Sequence, residues 1–160
     1  MLTIHKTLFD LTADDLMSRD VVCIPATTSL QDAARRLVES GISGAPVVDE
    51  AGRCLGVLSQ TDLARFVARR EPPPMHEDEE FAADWQLSDV EDLPEDEVGR
   101  YLTRTVITAS AQTPVSELAA LMCDARVHRV LITAADGKVV GIVSSLDVLR
   151  AVAGDSEPAA

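Results

Sequence analysis

The stretch Gly56-Val57-Leu58-Ser59-Gln60-Thr61-Asp62 returns 85 positions later as Gly141-Ile142-Val143-Ser144-Ser145-Leu146-Asp147. Both copies pass from an apolar, β-prone trio into a helical pattern, with a serine at the junction and a carboxylate three residues on. A strand end that feeds a helix start leaves backbone N–H groups pointing outward, where an anion such as a phosphate is naturally held. A carboxylate fixed beside it suits the hydroxyls of a ribose, the part acidic residues play in other nucleotide folds. Internal duplication is therefore the reading on which the rest depends.

The surroundings repeat as well. In the first half, Thr12-Ala13-Asp14-Asp15 predicts the start of a short helix, and Val21-Val22-Cys23-Ile24 a brief strand closed by Pro25. Thr28-Ser29-Leu30-Gln31 reads as a capping box, followed by Leu30, Ala33, Ala34, Leu37 and Val38 at helical spacing, with Gly41 as a left-handed C-cap. Pro46-Val47-Val48 and Cys54-Leu55-Gly56-Val57-Leu58 flank a turn at 49–53, and Leu63, Phe66 and Val67 mark the buried face of a closing helix. In the second half, Tyr101-Leu102 ends a short helix and Val106-Ile107-Thr108 is the brief strand. Thr113-Pro114 supplies N-cap and N1 for a helix with Val115, Leu118, Ala119 and Met122 on one face. Strands through Val130-Leu131-Ile132 and Val139-Val140-Gly141-Ile142-Val143 surround the turn pair Asp136-Gly137, and Val148, Leu149 and Val152 close the repeat.

Each repeat is thus a β-α-β-β-α unit, and the fold class is α+β by tandem duplication with pseudo-two-fold symmetry. A unit of about sixty residues is marginal alone, so two are expected to share a core. The expected boundaries are 1–70 for repeat 1 with a short N-terminal helix, 71–98 for an insert, 99–155 for repeat 2, and 156–160 for a flexible tail.

Net charge is −13, and twelve acidic residues without a Lys or Arg fall between Glu71 and Gly99. The repeats themselves are close to neutral, and no basic stripe offsets the acidic balance, which argues against a nucleic-acid partner. Glu71-Pro72-Pro73-Pro74 stops the first repeat. Beyond the acidic run Glu77-Asp78-Glu79-Glu80, Phe81 and Trp85 stand four apart with Leu87 nearby, which predicts a short docked helix. Scattered carboxylates there make a poor octahedral cage, so no metal is expected. His5 and His76 read as solvated surface. Apolar runs are too short for a bilayer, the N-terminus lacks a secretory h-region, and Cys23, Cys54 and Cys123 read as reduced thiols. A cytoplasmic protein without a membrane partner is expected.

The paired marks resemble the tandem CBS domains of a Bateman module over nearly the whole chain, the termini and acidic insert excepted. They are Ile42-Ser43-Gly44-Ala45-Pro46-Val47-Val48-Asp49 with Gly56 to Asp62, and Val127-His128-Arg129-Val130-Leu131-Ile132 with Gly141 to Asp147. The resemblance implies a regulatory module that binds an adenosyl ligand (AMP, ADP, ATP or S-adenosylmethionine) in the cleft between repeats. It further implies a homodimer of modules and an unidentified target protein that reads occupancy. Carried over by position, Asp62 and Asp147 would hold the ribose, and Ser59, Ser144, His128 and Arg129 would meet phosphate. The backbone at Val22, Ile107, Ser43, Gly44 and Ala45 would face the adenine. The first repeat departs from the pattern, with Ser43-Gly44 where the second has His128-Arg129, so one good phosphate site is expected rather than two.

Ser59-x-x-Asp62 and Ser144-x-x-Asp147 are also plain capping boxes. Capping alone does not call for a glycine ahead of each, which favours a ligand at the junction. The electrostatics assign the acid to ribose, since it would repel phosphate, and the anion to the helix end and the Arg129 guanidinium. No His, Cys or Ser set offers a nucleophile with its base, so no enzyme is expected. The alternative function is a nucleotide-independent interaction scaffold that docks through the acidic insert.

Overall fold

A computed structural model of the protein describes residues 7–69, 90 and 93–154. The prolines at 72–74, the acidic run 77–80, Phe81, Trp85, Leu87, His5, His76 and the tail 156–160 lie outside the described residues. The helices are α1 Ala13–Leu16, α2 Leu30–Glu39, α3 Gln60–Arg69, α4 Val115–Ala125 and α5 Ser145–Ala153. The strands are β1 Ile24–Pro25, β2 Gly44–Val48, β3 Cys54–Ser59, β4 Thr108–Ala109, β5 Arg129–Thr133 and β6 Val139–Ser144. They form two three-stranded sheets, ordered β1-β2-β3 and β4-β5-β6, so the expected α+β duplication is present. The first strand of each sheet runs parallel to its neighbour, Ile24 opposite Val47 and Thr108 opposite Leu131. β5 and β6 form an antiparallel hairpin, closed by Gly137 at φ 85° beside Asp136. The Lys138 N–H and ammonium hold the exposed Asp136 carboxyl below its ordinary value.

Caps place the helix starts, and two differ from expectation by a residue. Thr12 and Asp15 make the anticipated box at α1. At α2 the N-cap is Ser29, whose Oγ accepts from Asp32 N at 3.1 Å, while Gln31 instead donates to the Leu93 carbonyl at 2.6 Å. At α4 the cap is Pro114, and Thr113 Oγ1 accepts from Ser110 N. Gly41 does take the left-handed conformation after α2, at φ 62°.

The contacts divide the chain into two compact units, each read over its described residues. One is Val22–Glu50 with Leu55–Arg104; the other is Met1–Val21 with Ala51–Cys54 and Thr105–Ala160. The compact units are not continuous in sequence: the N-terminal helix packs with the second repeat. Ala13, Leu16 and Met17 are buried with Val115, Leu118, Val130 and Val143. Backbone bonds fix the segment, Ala13 N to Thr113 O at 2.8 Å and Val115 N to Leu11 O at 3.0 Å. The segment ahead of the second repeat makes the same bonds in the first unit, Val98 N to Thr28 O at 2.8 Å and Leu30 N to Asp96 O at 2.9 Å. There Val98 is buried with Ile24, Leu30, Leu37 and Leu58. Each fully buried aliphatic side chain of this kind stabilises by about 1.5–3 kcal/mol.

The closing helices correct one expectation. Leu63 and Phe66 face the core of the first unit, and Phe66 meets Tyr101 edge-on with ring centroids 5.1 Å apart. Val67 is 39% exposed, and Leu149 and Val152 are each 62% exposed; α5 turns Val148 and Ala151 inward instead.

Each leading segment ends across a glycine of β3 or β6. Thr103 exchanges two 2.9 Å backbone bonds with Val57, and Ser18 exchanges bonds of 2.9 and 3.0 Å with Ile142. A Cβ on Gly56 would collide with Leu102 and lie 2.6 Å from the Thr103 carbonyl oxygen; one on Gly141 would collide with the Met17 side chain. The obstacle at Gly56 includes backbone, whereas a thioether can shift. Gly56→Ala is therefore expected to cost about 1–3 kcal/mol in urea denaturation and Gly141→Ala distinctly less; equal costs would refute this account.

Candidate functional site

In the first unit, β3 ends at Ser59 and α3 starts at Gln60. The Ser59 hydroxyl accepts from Asp62 N at 3.2 Å, and Asp62 Oδ2 accepts from Ser59 N at 2.9 Å and Ser59 Oγ at 2.7 Å. The other oxygen, Oδ1, accepts from Thr103 Oγ1 at 3.0 Å. Gln60 N donates to the Ser43 carbonyl at 2.9 Å, which brings the start of β2 against the junction. Gly44 follows so closely that a Cβ there would lie 3.1 Å from the Leu58 carbonyl oxygen and 3.4 Å from Ser59 Cβ.

The second unit repeats this frame with different side chains. Asp147 Oδ2 accepts from Ser144 N at 2.7 Å and Ser144 Oγ at 2.6 Å, and Ser144 Oγ accepts from Asp147 N at 3.2 Å. Ser145 N donates to the His128 carbonyl at 2.9 Å, and Arg129 sits opposite Ser144 in the β5–β6 register. Asp147 is the one charged residue buried among those described, at 7% exposure; its Oδ1 faces Arg150 Nη1 at 3.9 Å.

The sequence-predicted residues therefore gather into two groups. Ser43, Gly44, Ser59 and Asp62 meet in the first unit, and His128, Arg129, Ser144 and Asp147 in the second. Ala45 is buried in β2, while Val22 and Ile107 are half-buried on the approaches to β1 and β4. The Ile107 carbonyl accepts from Leu131 N at 3.1 Å. Both acids cap their own helices, and the glycines ahead of them are accounted for by the crossing segments. Glycine recurrence thus carries no argument for a ligand. Thr103 was not among the predicted residues; its recurrence in step with Ser18, both directly after an apolar residue, is the signal that could have found it. Among the described residues no group of three or more His, Cys, Asp or Glu is placed to hold a metal, and no helix is long and apolar enough to cross a membrane.

The CBS domain model matches residues 13–69 and 98–154. The chain belongs to the CBS domain family. An L-aspartate semialdehyde sulfurtransferase of Methanocaldococcus jannaschii is 26% identical over 140 residues, which cover 88% of this chain and 23% of that protein. The chain spans about a quarter or less of the first curated relatives it matches. Among solved structures, the CBS domain pair of protein MJ0100 in complex with 5′-methylthioadenosine and S-adenosyl-L-methionine is 25% identical. It aligns with a TM-score of 0.67 over 90% of this chain and 97% of that one. The cytosolic domain of the Mg²⁺ channel MgtE in complex with ATP is 27% identical, with a TM-score of 0.61 over 84% of this chain and 46% of that one.

The two CBS junctions are structural before they are anything else. Losing a serine N-cap costs about 1 kcal/mol. Ser59→Ala and Ser144→Ala should each lower stability by about that amount in chemical denaturation. Asp147→Ala, which also strands the buried end of the cap, should cost more than Ser144→Ala; a neutral Asp147→Ala would contradict the capping geometry.

Proposed function

We infer that this chain is a regulatory module that binds an adenosyl ligand at its strand-to-helix junctions and passes occupancy to a partner protein. The carrying observation is the doubled junction itself: an outward helix start, a serine and a fixed carboxylate, in a family whose solved members include pairs with adenosyl ligands. Asp62 and Asp147 would take ribose hydroxyls through Oδ1, because Oδ2 of each is committed to its cap. His128 and Arg129, both exposed at the start of β5, would receive phosphate, and the backbone near Val22, Ile107 and Ser43–Ala45 would face the base. Arg129 suits that task because a planar guanidinium binds phosphate bidentately. The module would work as a homodimer, and ligand binding would bias one of two arrangements through its differential affinity. The reading is of a binding module and not a catalyst; the sulfurtransferase relative is matched over too little of its length to lend its chemistry.

Thermal melting with AMP, ATP, S-adenosylmethionine and 5′-methylthioadenosine tests this. A ligand that binds only the folded form at a hundred times its Kd stabilises by about 2.7 kcal/mol, a shift of roughly 5–10 °C here. Arg129→Ala should diminish the shift given by ATP and leave that given by 5′-methylthioadenosine. A flat response to all four would favour a scaffold that keeps the CBS fold without a ligand.

A further inference from the structure

The two capping carboxylates differ in what remains of them for a ligand. An ionised carboxylate offers about four lone-pair sites. At Asp62, Oδ2 accepts two bonds from Ser59, and Oδ1 accepts the Thr103 hydroxyl at 3.0 Å, which leaves one site. At Asp147, Oδ2 accepts two bonds from Ser144, and Oδ1 accepts no hydrogen bond among the described residues. Its neighbour there is Arg150 Nη1 at 3.9 Å, beyond hydrogen-bond length, on a carboxylate side chain only 8% exposed. Asp147 therefore keeps two acceptor sites on Oδ1.

The cause lies in the leading segments. Thr103 and Ser18 occupy equivalent places, each bonded through its backbone to the strand it crosses. Threonine is β-branched, which restricts its χ1, and the hydroxyl of Thr103 is directed at Asp62 Oδ1. Serine lacks that restriction, and the hydroxyl of Ser18 makes no bond to Asp147.

We propose that Thr103 makes the two junctions unequal readers of ribose: Asp147 accepts both hydroxyls of a 2′,3′-diol, and Asp62 accepts one. The inference rests on the adenosyl-binding reading given above and specifies it. Thr103 acts on the ligand through Asp62 and is a positioning residue. A ligand lacking one hydroxyl forfeits a charge-assisted bond at Asp147 and forfeits nothing at Asp62, where one hydroxyl already fills the remaining site.

Calorimetric titration with ATP and 2′-deoxy-ATP separates the junctions. In Asp62→Asn, which leaves Asp147 as the reader, ATP should bind roughly tenfold or more tighter than the deoxy form. In Asp147→Asn the two Kd values should agree within about threefold. Adding Thr103→Val to Asp147→Asn should raise the ATP preference, and adding Ser18→Thr to Asp62→Asn should lower it; melting curves establish that each variant is folded. Because the two second-site changes act in different units and opposite directions, one that unfolds leaves the other decisive. Equal preferences in the two single variants, or a preference that ignores residues 103 and 18, would overturn the inference while leaving adenosyl binding intact. Failure of the unmodified protein to bind ATP or 2′-deoxy-ATP would overturn the inference, and failure to bind AMP, S-adenosylmethionine and 5′-methylthioadenosine as well would overturn the adenosyl-binding reading with it.

Discussion

Two backbone crossings hold this chain in its arrangement. β3 and β6 are the outer strands of their sheets, and an outer strand carries N–H and C=O groups without a ladder partner. The Val57 groups are satisfied by Thr103 and the Ile142 groups by Ser18, each through a reciprocal pair of bonds. So close an approach is possible because the residue before each bonded position is glycine, with Leu102 or Met17 lying where a Cβ would be. The leading segment must then come from the other repeat, and the units interleave along the chain. A fragment ended at residue 70 would carry Met17 and Ser18 but not the strand they cover. Neither repeat has its full core without sequence from the other half.

The same crossings set the geometry of the junctions. Thr103 is placed over β3 by its backbone, and from there its hydroxyl reaches Asp62. Each acid is anchored by two bonds to the serine three residues before it, so its carboxylate is oriented before any ligand arrives. For the ligand proposed above, that orientation would be a form of preorganisation, its ordering cost belonging to folding and not to binding. Structural and functional readings of Ser-x-x-Asp are therefore not rivals. The cap uses Oδ2, and any recognition must use Oδ1.

Much of this was legible in the sequence because duplication multiplies weak signals. The 85-residue offset located both hairpins, both junctions and all four principal helices within a residue or two. Local ambiguities survived where two residues offer the same chemistry. Thr28 and Ser29 are both good caps, and the outcome depends on which hydroxyl meets an N–H. In α5 the pairs Val148/Ala151 and Leu149/Val152 share one spacing, and alanine's small side chain made the wrong pair look like the core. Interleaving was not legible at all, since periodicity tells which face is apolar and not which neighbour covers it. Misreading the glycines followed from that: without Leu102 and Met17 overhead, a bare backbone beside a helix start reads as room for a ligand.

Given that frame, the differences between the copies stand out as chemistry and not as folding. Gly41 and Arg126 occupy equivalent left-handed positions, at φ 62° and φ 53°. A non-glycine residue there costs of order 1 kcal/mol, which glycine avoids. Repeat 2 bears that cost and sets Arg126, His128 and Arg129 where repeat 1 has Gly41, Ser43 and Gly44. Both junctions keep the serine, the acid and the backbone bond into the following helix, Gln60 N to Ser43 O and Ser145 N to His128 O. What diverged is the charge beside the helix start and the side chain beside the acid, Thr103 in one copy and Ser18 in the other. A duplicated scaffold constrained at its crossings is free to vary at those points, and that is where its two halves have become chemically distinct.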